Sequence, residues 1–257
     1  MTNNYYQEIE NLFAEWQARQ QKEPYEEYLK YGAPEIAKDS FTYDGIIDPP
    51  VYAKQDTKYL FISKESNIEN EKDQRPFRSD GDNFWLRDVC LQKEKPQIFS
   101  NRLAMFANAI YSLDFEHVNK CHDILNKVAF MNLNKRGGLS RSKPKTIPKD
   151  TQKYAGFSGR RMQNNMIRDE EYNERKDRLE TIPGYTNKYA GFIKREIDMI
   201  KPDIIICCGS GLRHLLGEIG ICSPRYTVIE VYHPSYRISD KRHLEKLKAA
   251  FDEISAE

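Results

Sequence analysis

The chain has 257 residues, of which 39% are hydrophobic and 31% charged, and its net charge is +1. That length accommodates one large domain or two small ones, and the near-neutral balance excludes a protein that is a polycation as a whole. The five cysteines, Cys90, Cys121, Cys207, Cys208 and Cys222, show no CxxC spacing, which argues against a disulfide framework and against a zinc or iron–sulfur site.

No apolar run approaches the roughly 20 residues a membrane-crossing helix needs. The start, "MTNNYYQEIENLF", lacks the basic-then-apolar order of a secretory leader. The expectation is a cytoplasmic monomer, without metal or cofactor and with no membrane partner. Cys207 and Cys208 read as buried structural thiols.

In chain order, "YYQEIENLFAEWQARQ" puts Ile9, Leu12, Phe13 and Trp16 at helical spacing and predicts an amphipathic helix. Residues 21 to 56 are rich in Tyr and Pro, and Asp48-Pro49-Pro50 is expected to break any regular element there. Residues 1–56 therefore form a helix and lead-in packed on the core, and 57–257 form the main domain. Four strands are predicted: "KYLFIS" (58–63), "KVAFMN" (127–132), "DIIICC" (203–208) and "TVIEVY" (227–232). Most are continuous apolar runs, the mark of strands covered on both faces. Helical patterns at 98–113 and 188–200, in "GLRHLLGEIG" and in "DKRHLEKLKAAFDEI" alternate with them. That alternation predicts a three-layer α/β/α sandwich around a mostly parallel four-stranded sheet.

A basic, polar insertion spans about 138–186. From Lys135 to Arg161 the chain carries nine Lys/Arg against the single acid Asp150. Such a segment is either a phosphate-contacting element or a solvated basic loop. "TQKYAGF" at 151 is echoed by "TNKYAGF" at 186, too few copies for a repeat architecture.

In parallel α/β sheets ligands bind outside the carboxyl ends of the strands. The segments there are "SKESNIEN", "NLNKRGG", "GSGLRH" and "HPSYR", all polar. Together "FISKESN" (61–67), "FMNLNKRGG" (130–138) and "YHPSYR" (232–237) resemble, in order and on matching elements, the motifs of the uracil-DNA glycosylase superfamily. "EIDMIKPDIIICCGSGLRHLL" resembles that family's helix, strand and glycine turn before the last motif. The resemblance covers roughly residues 57 to 250.

The resemblance implies hydrolysis of the N-glycosidic bond of an extruded pyrimidine in DNA, leaving an abasic site. Glu65 falls where the family carries its catalytic Asp or Asn, and His233 where a histidine meets charge developing on the departing base. Asn132 resembles the base-reading asparagine. Tyr52, Phe84 and Trp85 are candidates for an aromatic platform that offsets the unstacking cost of flipping. The best-known branch carries a tyrosine that screens out bases substituted at ring position 5. Asn67, after Ser66, stands at that position here, and Ser63 replaces a usual glycine. The expected substrate is therefore a modified pyrimidine, such as a 5-substituted cytosine of phage DNA, or otherwise uracil, removed in repair or in defence against foreign DNA. Lys135, Arg136, Arg141, Ser210, Arg213, Ser235 and Arg237 are the expected DNA contacts, with the glycine turn offering backbone N–H groups to phosphate. Lys64 would serve a Schiff-base mechanism, whereas the family implies simple hydrolysis. The alternatives are a catalytically silent nucleic-acid- or nucleotide-binding module, and a nucleotide-handling enzyme whose phosphate site is the glycine turn.

Overall fold

Residues 2–24, 41–67, 98–138, 182–222 and 224–255 are described in the computed structural model. Five strands, β1 (Gly45–Ile46), β2 (Tyr59–Asn67), β3 (Ala129–Gly138), β4 (Ile204–Cys208) and β5 (Thr227–Val231), form one sheet in the order β1-β3-β2-β4-β5. The last four are mutually parallel, and β1 is antiparallel to β3 at one edge. The predicted strands are all present. β2 and β3 continue to Asn67 and Gly138, past the apolar stretches that announced them. The additional strand comes from the lead-in, whose two residues were too few to carry a periodic signal.

The helices are α1 (Thr2–Gln21), α2 (Pro49–Tyr52), α3 (Ile98–Ser112), α4 (Ile182–Lys188), α5 (Ala190–Ile200), α6 (Leu212–Glu218) and α7 (Asp240–Ser255), with a 3-10 turn at His122–Lys127. Alternate strand residues face opposite layers. Leu60, Ile62, Ile205, Cys207 and Val228 join one core with α1, α4, α5 and α6. Tyr59, Phe61, Ile206, Cys208 and Ile229 join the other with α3 and α7. The architecture is thus a three-layer α/β sandwich, and both faces of the sheet are dry, as the continuous apolar strands require. No described helix is long and apolar enough to cross a membrane.

Asp48-Pro49-Pro50 starts an element instead of breaking one. The Asp48 carboxylate accepts from Val51 N (3.2 Å), and proline fills the first helical positions of α2, where its missing N–H has no intrahelical use.

The lead-in is fastened to the sheet by charge. Lys135, on the same side of β3 as Met131 and Leu133, is fully buried. Its ammonium contacts Asp44 Oδ1 and lies 2.9 Å from Glu196 Oε2 of α5. It also sits 5.3 Å from the ring centres of Phe13 and Trp16 in α1. At Gly45, with φ +127°, a Cβ would lie 2.6 Å from Tyr5 Oη, which accepts from Ile46 N (2.9 Å). Only glycine fits between α1 and β1 at that point.

Burial, reinforced by Asp44, holds the Glu196 carboxyl well above its ordinary value of 4.5, against the opposing pull of Lys135. The folded chain therefore keeps a proton that the unfolded chain releases. The associated stability is full below 4.5 and is lost as pH rises toward the folded-state pKa. Glu196→Gln preserves shape but does not titrate. Its urea midpoint relative to wild type is expected to climb steadily as pH is raised from 4.5, and a pH-independent difference would contradict the assignment.

Candidate functional site

The chain leaves β2 toward β3 on one side and leaves β4 toward β5 on the other, so strand order reverses between β2 and β4. The crevice at their carboxyl ends is where an open α/β sheet binds ligands. Gly209 lies immediately beyond β4 with φ +132°, a conformation suited to glycine, and donates to Val231 O (2.9 Å). A Cβ at this point would lie 3.8 Å from both His233 Cβ and Lys64 Cε. The turn after β4 thereby brings the ends of β2 and β5 together.

Asn132 and Ser63 are register partners on β3 and β2. Strand alternation puts them on the same face as Phe130 and Phe61, toward α3. Both are buried, and Ser63 Oγ has no hydrogen-bond partner among the described residues. Phe99 of α3 joins the two sides of the site. Its ring centre is 5.7 Å from Phe130, two residues before Asn132, and 5.6 Å from the His233 ring. One aromatic side chain therefore touches both the β3 and the β5 motif regions.

Two polar groups are oriented by identifiable bonds. Asp44 Oδ2 accepts from Asn132 N (2.7 Å) and Asn132 Nδ2 (3.3 Å), while its other oxygen takes the Lys135 ammonium. A carboxylate held on an ammonium accepts and does not donate, so the amide must turn its NH2 toward Asp44. That leaves Oδ1 and one N–H of the amide directed away from Asp44. His233 Nδ1 accepts from Ser235 N (3.1 Å), so in the neutral ring the hydrogen resides on Nε2, which becomes the donor.

Several expected contacts need correction. Lys135 is not a DNA contact, because its charge is satisfied inside the core. Arg136 is equally buried and gives Nη2 to Gln20 O (2.7 Å) at the end of α1. Tyr52 is no base platform. It is buried in the core, in the neighbourhood of Tyr5, Tyr111 and Asp203. Tyr111 bonds to Thr57 O and Lys127 O, and Asp203 precedes β4, so that neighbourhood lies at the opposite, amino end of the sheet. The glycine turn does not hold its N–H groups out for phosphate. Glu230 Oε2 already accepts from Gly211 N (2.9 Å) and Arg213 N (3.3 Å).

Ser210, Arg213, Ser235 and Arg237 are exposed at the carboxyl edge of the sheet. The exposed rings of Tyr232 and Tyr236 lie 5.8 Å apart beside them. Glu65, Ser66 and Asn67 lie within β2, Glu65 in register with Asn134 and Asn67 with Gly138. Their side chains, together with Phe84, Trp85 and Arg141, lie outside the described residues. Among the described residues no group of three or more His, Cys, Asp or Glu is placed to hold a metal ion.

Phe99 and Asp44 were not evident from the sequence. Phe99 opens a helix whose spacing announced only an apolar face, and Asp44 stands in the irregular lead-in, 88 residues from the amide it orients.

Lys135→Met is expected to destabilise the fold by about 3–5 kcal/mol, because it strands two buried carboxyl groups. Denaturant titration would check this, and a variant as stable as wild type would return Lys135 to the surface.

Comparisons with protein-family models, with curated proteins and with solved structures gave no match.

Proposed function

We propose that this chain is a divergent member of the uracil-DNA glycosylase superfamily and a monofunctional DNA glycosylase. It hydrolyses the bond between deoxyribose and a flipped-out pyrimidine, modified at ring position 5 or otherwise uracil, in base-excision repair or defence against foreign DNA. The observation that carries this reading is that Ser63 and Asn132 pair in register on one face of the sheet while Phe99 spans from Phe130, two residues before Asn132, to the His233 ring. Ser63, Asn132 and His233 sit on motifs far apart in sequence.

Each group has a task in that chemistry. Asn132 reads the base edge with Oδ1 and one N–H. Phe99 supplies an apolar surface beside it, which offsets part of the unstacking cost. The Nε2–H of His233 meets negative charge as it develops on the base, where a fixed donor counts for more than in the ground state. Glu65, from β2, stabilises the sugar cation and orients water. Arg213 and Arg237 track phosphates, with Ser210 and Ser235 as neutral donors. The capping of the glycine turn by Glu230 weighs against a nucleotide enzyme that uses the turn as its phosphate site.

Mass spectrometry of bases released from duplexes containing uracil or 5-substituted cytosines tests the proposal. His233→Ala and Glu65→Gln should each lower release by about 10²–10⁴-fold while leaving DNA affinity near wild type. Borohydride should trap no Lys64-dependent adduct. Absence of base release from every substrate would remove the glycosylase reading, and release of uracil alone would remove the 5-substituted substrate. Arg213→Ala and Arg237→Ala should each reduce the slope of log affinity against log salt by roughly 0.9. An unchanged slope would take them off the DNA path.

A further inference from the structure

The segment after His233, from Pro234 to Ile238, has no strand or helix of its own, and its carbonyl groups converge on one side chain. Arg102, on α3, directs Nη1 to Pro234 O (2.9 Å) and Tyr236 O (2.6 Å) and Nη2 to Ile238 O (2.8 Å). Its Nε donates to Asp240 Oδ1 (2.9 Å) at the start of α7. The other Asp240 oxygen takes Lys120 Nζ at 2.6 Å. The His243 ring braces the same segment: a carbonyl only accepts, so Nε2–H donates to Tyr236 O (3.2 Å).

Phe99 lies three residues before Arg102, so the two share a face of α3. One helix face thus meets the His233 ring through Phe99 and the backbone just beyond that ring through Arg102. The acceptors at 234, 236 and 238 are alternate carbonyls that no regular element would turn toward a common point. A planar guanidinium with five N–H donors can satisfy them together, and an ammonium on a flexible stem cannot reproduce that fork.

We propose that Arg102 is the positioning residue for His233: it fixes the loop that sets the imidazole against Phe99. The proposal rests on the glycosylase reading for what the imidazole does, and on the geometry alone for the clamp. Arg102 acts through the loop backbone and contacts no reacting atom in this scheme.

The test uses the full chain with Arg102→Ala and Arg102→Lys. Without DNA, hydrogen exchange of the amides at 235–239 should quicken at least about tenfold in both variants, because local opening no longer breaks the clamp. Exchange in β2 and β3 should stay as in wild type. The His233 ring signal in NMR should shift and broaden. With a cleavable duplex, Arg102→Ala should lower kcat about 100-fold, the scale of a misplaced catalytic group, with KM within about twofold. Arg102→Lys should recover little of that loss, and added methylguanidinium should restore part of it. In a His233→Ala background Arg102→Ala should cost nothing more, since a residue acting only through His233 has no effect once the ring is gone. Unchanged exchange at 235–239, an unmoved His233 signal, or additive losses in the double variant would each overturn the proposal. A chain that releases no base but shows the exchange and NMR changes would keep the clamp and remove the glycosylase reading.

Discussion

The Lys135 ammonium, enclosed by Asp44, Glu196, Phe13 and Trp16, is the interaction on which the rest of the molecule depends. An ammonium taken out of water is tolerated only when paired and hydrogen-bonded, so wherever Lys135 goes these partners must follow. They lie on three elements, the lead-in at β1 and helices α1 and α5, and Lys135 ties all three to strand β3. Packing alone would tolerate small slides of α1 over the sheet, whereas a buried ion pair has one acceptable arrangement. Arg136 repeats the device by binding Gln20 O, while the Gln20 side chain accepts from Tyr185 Oη of α4 (2.8 Å). The strand end that bears Asn132 is therefore held from beneath by charge.

Asp44 links this anchor to the site. One oxygen neutralises the lysine and the other orients the Asn132 backbone and amide. An asparagine alone can present its edge with either polarity. A carboxylate with its other oxygen already on an ammonium removes that freedom. The same residue thus holds the buried lysine and fixes the polarity of the Asn132 amide, so a change at Asp44 would disturb both.

The layers were legible in the sequence for a simple physical reason. Strands dry on both faces must be continuous apolar runs, and β2, β3, β4 and β5 are. The carboxyl-edge rule then drew attention to Asn132 and His233. What failed was the inference from charge to exposure. Lys135 and Arg136 look like solvated cations beside a basic segment, and nothing local reveals that β3 runs on to carry them inward. A sign existed elsewhere: Glu196 falls on the apolar face of its helix with Ile193, Ile197 and Ile200, where a carboxyl group requires a buried partner. Glu230, the one acid within "TVIEVY", was a similar sign, and it caps the turn that had been assigned to phosphate. Asp44 and Arg102 act through contacts between distant segments, which no periodicity records.

The two faces of the sheet consequently play different parts. The face toward α1 and α5 is closed by the Lys135–Asp44 ion pair, Glu196 and aromatic packing around the ammonium. The face toward α3 holds Ser63, Asn132, Phe99 and His233, with the histidine on a loop that lacks secondary structure. A site assembled from strand residues and one irregular loop needs a separate restraint on the loop, since local order there does not come from a hydrogen-bonded ladder. Arg102 meets that need because its acceptors are main-chain carbonyls. The exposed side chains at 235, 236 and 237 can then vary while the path of the backbone, and with it the imidazole, stays constant.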